Sequence, residues 1–276
     1  MIVRCANLDL DLSEPRVMGV LNVTPDSFSD GGMFIEPSDA LKHALIMVEE
    51  GAAIIDVGGE STRPGAESVS LQQELDRVIP IIEVLTAKLS VPVSIDTSKP
   101  QVMREAAAAG AGMINDVCAL SAEGAIEAAS ESRLPVCLMH MQGKPRSMQQ
   151  QPHYDDVVLE VCTYLQQRAR ACVAAGIPAE RILIDPGFGF GKRLQHNLLL
   201  LQNLESLSSA GYPLLVGLSR KSMIGRILDG RSVEQRLSGS LAAAVIAAMK
   251  GASILRVHDV RATVDAMRVT TAVMNQ

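Results

Sequence analysis

The chain reads as an α/β protein of one domain, a (β/α)8 barrel with its site at the C-terminal mouth of the strands. Three observations predict this. Short apolar runs rich in β-branched residues alternate with segments of helical period. The alternation repeats about eight times in 276 residues, the usual size of such a barrel. Each run also ends in polar or glycine-rich sequence, as strands do where a parallel sheet opens onto its loops. An open doubly wound sheet is the alternative, but it gathers its ligand groups near one switch point.

Residues 1–15 precede the repeats as a short extension or hairpin that plugs the barrel floor. The first strand runs from Val17 to Val23 and opens into Thr24–Gly32, which suits neither strand nor helix. The helix Ser38–Glu50 follows and stops at Gly51. The second strand is Ala53–Val57, with Asp56 near its end. The helix after it, Leu71–Leu89, carries Leu71, Leu75, Val78, Ile82 and Leu85 at three- and four-residue spacing. The third strand, Val91–Ile95, ends at Asp96; Pro100 then opens the helix Gln101–Ala109. The fourth, Gly112–Ile114, ends at Asn115 and Asp116. The fifth, Pro135–Met139, ends at His140, and the helix Asp155–Ala175 follows. The sixth, Arg181–Ile184, ends at Asp185, with the helix Gln195–Ala210 behind it. The seventh, Leu214–Gly217, leads to Ser219–Ser222 and the helix Val233–Lys250. The eighth, Ser253–Leu255, leads to Arg256 and His258, and Ala262–Val273 closes the chain.

Composition narrows the function. A net charge of −6 with no Lys/Arg cluster argues against a nucleic-acid surface. Five cysteines with no C-x-x-C pair suit reduced thiols in the cytoplasm better than a disulfide frame or a zinc site. The apolar runs fall far short of the roughly 20 residues a membrane span needs, and the N-terminus lacks a signal pattern.

The strand ends supply Asn22, Asp56, Asp96, Asn115, Asp116, Asp185, Lys221, Arg256 and His258. Three chemistries follow. Asp96, Asp185 and Asn115 suit a heterocycle showing an amino group beside a ring N–H, with Lys221 donating to a ring carbonyl or nitrogen. Met139 and Phe190 are the apolar walls of that pocket. A single such aspartate would more simply cap a helix; two with an asparagine between them are less easily explained that way. Arg63, Arg256 and His258, with Ser61 and Thr62, suit a phosphate or diphosphate. For Arg63 alone a surface salt bridge is an adequate account; Arg256 and His258 bracket Val257 and so share one strand face. The hard-metal candidate is the Asn22 carbonyl oxygen, with Asp56 in support, in the manner of Mg²⁺ held by few protein ligands. The run Gly187–Arg193 lacks both phosphate-loop patterns and reads as a tight turn that aims Phe190 at the pocket. His43, His153 and His196 read as solvated.

The chain resembles the dihydropteroate synthase family over nearly its whole length. Two motifs carry the resemblance: Met18-Gly-Val-Leu-Asn-Val-Thr-Pro-Asp-Ser-Phe-Ser-Asp-Gly31 and Asp56-Val-Gly-Gly-Glu-Ser-Thr-Arg-Pro-Gly65. Ser94–Ser98, Asp185–Lys192, Ser219–Ser222 and Arg256–Asp259 match in the same order. The resemblance, to the single-function bacterial form, implies the joining of p-aminobenzoate to 6-hydroxymethyl-7,8-dihydropterin diphosphate by an SN1-like step. It implies pterin contacts at Asp96, Asn115, Asp185 and Lys221, with Met139, Phe190, Gly217 and Arg256 lining the pocket. Diphosphate contacts fall on Asn22, Thr62, Arg63, Arg256 and His258, with Asn22 also the Mg²⁺ ligand. Positions around p-aminobenzoate are Phe28, Thr62, Pro64, Phe190, Lys221 and Ser222. The catalytic set implied is Arg63, Lys221, Arg256 and His258. A homodimer and inhibition by sulfonamides are implied as well. Two other readings are a non-catalytic pterin-binding relative and a pterin-dependent methyltransferase barrel. The intact first and second motifs count against the former. The diphosphate groups and the Asn22 metal position count against the latter.

Overall fold

The structure is a computed structural model and describes residues 1–24, 36–61, 68–143 and 148–276. Eight parallel strands close a barrel: β3 (Arg16–Asn22), β4 (Ile54–Gly58), β5 (Val93–Asp96), β6 (Met113–Asp116), β7 (Val136–Met139), β8 (Ile182–Asp185), β9 (Leu214–Val216) and β10 (Ala252–Val257). Neighbours in sequence pair in order, and β10 returns to β3. The barrel fold expected from the alternation is therefore the fold observed, and the open sheet is not.

Below the barrel, β1 (Ile2–Cys5) and β2 (Leu8–Asp11) form an antiparallel hairpin. Val3, Cys5 and Leu10 from it are buried against Met18, Ile54, Met113, Cys137, Leu183, Leu215 and Ile254. Those seven point into the barrel, one per strand except β5, whose short Ser94 is also buried. The alternate residues, such as Val17, Ile55, Ile95, Ile114 and Leu255, face the helices in a second, larger apolar cluster. A strand buried on both faces needs no polar alternation, which is why the runs read as continuously apolar.

Around the barrel lie α1 (Pro37–Glu49), α2 (Leu71–Lys88), α3 (Pro100–Ala108), α4 (Ala125–Ser132), α5 (Val157–Ala174), α6 (Leu194–Gln202), α7 (Leu204–Ser208), α8 (Ser222–Ile227), α9 (Leu237–Met249) and α10 (Val260–Met274). Local chemistry starts several of them. Ser70 and Gln73 form a capping box for α2, the Asp156 carboxylate accepts from Val158 and Leu159 at the start of α5, and prolines open α1 and α3.

Three features depart from the periodicity. The helix expected over Gln195–Ala210 is two, broken at Asn203, whose side-chain amide donates to the Leu199 carbonyl at 2.9 Å. The segment from Val233 begins as a 3-10 turn and becomes α-helix only at Leu237. The short helices α4 and α8 have too few turns to show a period.

Candidate active site

Side chains alternate along a strand, so each inward core residue predicts the next inward position two residues on. Asp56 follows Ile54, Asn115 follows Met113, Met139 follows Cys137, Asp185 follows Leu183, Gly217 follows Leu215, and Arg256 follows Ile254. One layer above an aliphatic core, the barrel interior becomes polar. Asp96, the last residue of β5, joins this layer beside Asn115 in the strand register.

Arg256 organises the layer. Its Nε donates to Asp56 Oδ2 at 2.6 Å and its Nη2 to Asp96 Oδ2 at 2.8 Å. Asn115 Nδ2 donates to the same Asp56 oxygen at 3.2 Å. Asp56 is fully buried, and among the described residues its Oδ1 has no hydrogen-bond partner. Burial alone would discharge Arg256, but Asp56 and Asp96 outweigh it and hold its pKa above the ordinary range. Burial pushes Asp96 up to about 7; Arg256 pulls it down, and the neighbouring Asp56 charge adds to the rise.

On the opposite side stand Asp185 and Lys221. Asp185 is raised by burial against the pull of Lys221. Its Oδ1 also accepts the Gly187 N–H at 2.7 Å. Burial draws Lys221 down to about 8, while Asp185 opposes the fall. Lys221 Nζ donates to the Phe188 carbonyl and lies 4.6 Å from the centre of the Phe190 ring. The turn expected over 187–193 sets the Phe190 ring beside this lysine. Gly217 adds no side chain here; a Cβ would come within 3.9 Å of Lys221 Nζ and 4.0 Å of Arg256 Cβ.

The turn at 187–192 is built around Lys192. This buried lysine donates to the carbonyls of Gly187 (2.9 Å) and Phe190 (3.0 Å) and reaches His140 Nδ1 at 2.9 Å. Burial lowers Lys192 and, together with Lys192, takes His140 down to about 3, so the imidazole is neutral and Nδ1 accepts. The turn lies so close to β7 that a Cβ on Gly187 would sit 1.9 Å from the His140 carbonyl oxygen. Gly187 and Gly191 have φ of +67° and +60°, which a side chain would strain.

Among the other residues singled out, Asp116, His43 and His196 differ from expectation. Asp116 is not at the mouth. It follows the inward Asn115, so it faces outward, accepting from Ser98 Oγ and from the N–H groups of Cys118 and Leu120, both at 2.8 Å. His43 and His196 are half-buried; His196 stands edge-on to Tyr154 at 4.9 Å. His153 is exposed. Asn22 ends β3, with its Oδ1 over Gly58 beside the Asp96 carboxylate; a Cβ on Gly58 would fall 3.7 Å from the one and 3.8 Å from the other. His258 lies just past β10, and Ser222 is exposed at the start of α8. Phe28, Thr62, Arg63 and Pro64 lie outside the described residues. Asp56 as the partner of both Arg256 and Asn115, and Lys192 as the centre of its turn, were not read from sequence. The two-residue step from Ile54 marks Asp56 as inward; Lys192 closes the matched Asp185–Lys192 run, but nothing in that run gives its role.

A partly buried ring of carboxylate, carboxamide, ammonium and guanidinium groups over an apolar floor suits a flat polar heterocycle carrying an anionic arm. A family model described as "Pterin binding enzyme" matches residues 18–258. The dihydropteroate synthase of Escherichia coli is 59% identical over 266 residues, 96% of this chain and 94% of that protein. The chain belongs to the dihydropteroate synthase family. The Yersinia pestis dihydropteroate synthase in a sulfonamide drug complex superposes with a TM-score of 0.96 at 54% identity, covering 100% of both chains. The Xanthomonas albilineans dihydropteroate synthase with 7,8-dihydropteroate gives 0.91 at 50% identity, over 100% of this chain and 99% of that one. The same enzyme with 4-aminobenzoic acid gives 0.95 at 53%, over 100% and 98%.

Proposed function

We propose that this chain condenses p-aminobenzoate with 6-hydroxymethyl-7,8-dihydropterin diphosphate to give 7,8-dihydropteroate and diphosphate. The observation that carries the reading is the inward cluster of Asp96, Asn115, Asp185, Lys221 and Arg256 in a single polar layer. Asp96, Asp185 and Asn115 take the amino and ring N–H groups of the pterin, and Lys221 donates to its acceptor edge. Met139 and the Phe190 ring are the apolar walls, and Gly217 keeps space for the ring.

The bond from the pterin methylene to the diphosphate oxygen breaks first, and its electron pair leaves with diphosphate. Arg256 and His258 stabilise the leaving charge, with Arg63 and Thr62 from the second loop. The buried carboxylates stabilise the cationic pterin. The aniline nitrogen then bonds to the methylene and gives up a proton to the released diphosphate. Phe28, Thr62, Pro64, Phe190, Lys221 and Ser222 surround p-aminobenzoate, and sulfonamides that mimic it are the expected inhibitors.

Mg²⁺ belongs to the proposal. Asn22 Oδ1 is a hard oxygen beside the Asp96 carboxylate at Gly58, which suits an ion that takes few protein ligands and fills its shell with phosphate oxygens. Bound there it would neutralise diphosphate charge. Asp56 supports it through Oδ1, the carboxylate oxygen that Arg256 and Asn115 leave unpartnered among the described residues.

A homodimer is part of the same reading. Helix α9 is apolar on nearly every side, and Ile246, Met249, Val269 and Val273 on α9 and α10 are exposed. A surface helix without a polar face calls for cover. A cytoplasmic site of action fits the five free thiols and the lack, among the described residues, of any helix long and apolar enough to cross a membrane.

The test is product formation from the pterin diphosphate and radiolabelled p-aminobenzoate, with and without Mg²⁺. Mg²⁺-dependent dihydropteroate is expected. Pterin diphosphate binding without product would overturn the catalytic reading in favour of a non-catalytic relative.

A further inference from the structure

The loops after β9 and β10 are joined by two consecutive rungs. Arg220 Nε and Nη2 donate to the two carboxylate oxygens of Asp259 at 2.9 and 2.5 Å. One residue earlier on each loop, Ser219 Oγ lies 3.2 Å from the His258 backbone nitrogen and 3.1 Å from His258 Nδ1. Ser219 is buried at 8% exposure, whereas the His258 side reaches solvent. Ser219 Oγ makes no other hydrogen bond among the described residues.

A serine hydroxyl has one proton to donate and two lone pairs to accept with. The His258 backbone N–H donates and occupies one lone pair. Among the described residues the hydroxyl proton then has a single acceptor in reach, Nδ1, and buried hydroxyls rarely leave their proton unused. An imidazole that accepts at Nδ1 carries its own proton at Nε2 when neutral.

We propose that Ser219 is a positioning residue that fixes His258 as the tautomer protonated at Nε2, so that the ring meets an anion as a hydrogen-bond donor. The other neutral tautomer, with Nδ1 protonated, turns the Nε2 lone pair outward and repels the same anion. The main-chain hydrogen bond to Oγ holds the histidine backbone at the same point, so ring and backbone are tied to one atom. The inference rests on the reading of His258 as a contact of the leaving diphosphate, and it says how a neutral histidine serves there.

The experiment uses the full chain labelled with ¹⁵N-histidine, with long-range proton–nitrogen correlation at alkaline pH and inorganic diphosphate as the binding probe. H258Q assigns the His258 signals by their loss. Wild type is expected to show the nitrogen pattern of the Nε2-protonated tautomer. S219A is expected to show a mixture of tautomers and diphosphate binding about five- to tenfold weaker, the worth of roughly one hydrogen bond. S219T, which keeps the hydroxyl, restores both. A wild-type His258 protonated at Nδ1, or an S219A spectrum unchanged from wild type, would overturn the role of Ser219. H258Q binding diphosphate as tightly as wild type would instead overturn the placement of His258 at the anion, whatever the spectrum shows.

Discussion

Arg256 Nε and Asp56 Oδ2 stand 2.6 Å apart although 200 residues separate them in the chain. Barrel closure brings β10 beside β3 and one strand from β4, so the last strand delivers a guanidinium to a carboxylate of the second. The same guanidinium reaches Asp96 on β5. One cation therefore sits between two acids, Asp56 fully buried and Asp96 partly so, and its removal has separable effects on stability and on chemistry.

Arg256→Ala is expected to lose most turnover and about 3 kcal/mol of stability, because Asp56 is left buried without its countercharge. Adding Asp56→Asn to Arg256→Ala should recover most of the stability and none of the turnover. Urea denaturation and the product assay read the two effects separately. Full activity in folded Arg256→Ala would remove Arg256 from the mechanism.

The kcat/KM profile for the pterin diphosphate reports the free enzyme. It is expected to rise through about 7, as Asp96 loses its proton and becomes an acceptor. Arg256 lowers the Asp96 pKa and Asp56 raises it, so the two variants should act oppositely. The acid limb moves to higher pH in Arg256→Gln and to lower pH in Asp56→Asn. Both limbs moving the same way would contradict the assignment.

An alkaline fall through about 8 is expected from Lys221, which loses its charge there because burial disfavours the ammonium. Lys221→Gln should be slower at neutral pH and should lack this limb. An unchanged alkaline limb in that variant would assign it to another group.

Asp116 offers a contrast with its neighbour. Outward-facing, it holds a turn in which Ala119 and Leu120 both have positive φ. Asp116→Ala is expected to cost about 3 kcal/mol, the loss of several buried hydrogen bonds around a strained turn. Pterin binding by the folded variant should persist. Asn115→Ala should do the reverse: weak pterin binding at little cost in stability. Isothermal titration with the pterin and urea melts of both variants would show whether the roles divide in this way.

Gly187→Ala places a methyl group against the His140 carbonyl and strains a left-handed residue. The turn must shift, carrying with it Phe190 and the carbonyl that Lys221 bonds. Turnover should fall at least tenfold, since small misplacements of positioning groups cost about that much or more. Unaltered kinetics would show that the turn adapts without moving Phe190.

The eight strands were legible because local chemistry determines them. Apolar runs closed by turn residues set the strand positions to within a few residues, and strand parity sorts each inward residue from its outward neighbour. Asp96, Asn115, Asp185, Lys221 and Arg256 were therefore found as strand-end groups from the chain itself. The resemblance to a known family added their roles. What no local pattern carries is which strand-end groups meet. Asp116 looked as eligible as Asn115 until the pleat turned it outward. That Arg256 and Asn115 share one oxygen of Asp56 could not be seen before closure. Lys192 ended a run that matched the family without a role attached to it, and only folding against β7 made it the buried centre of that turn. Propensity and parity act over neighbouring residues, so sequence records them directly. Ion pairs across a barrel, and the pKa values they set, depend on distances between residues far apart in the chain, and those exist only once the sheet has closed.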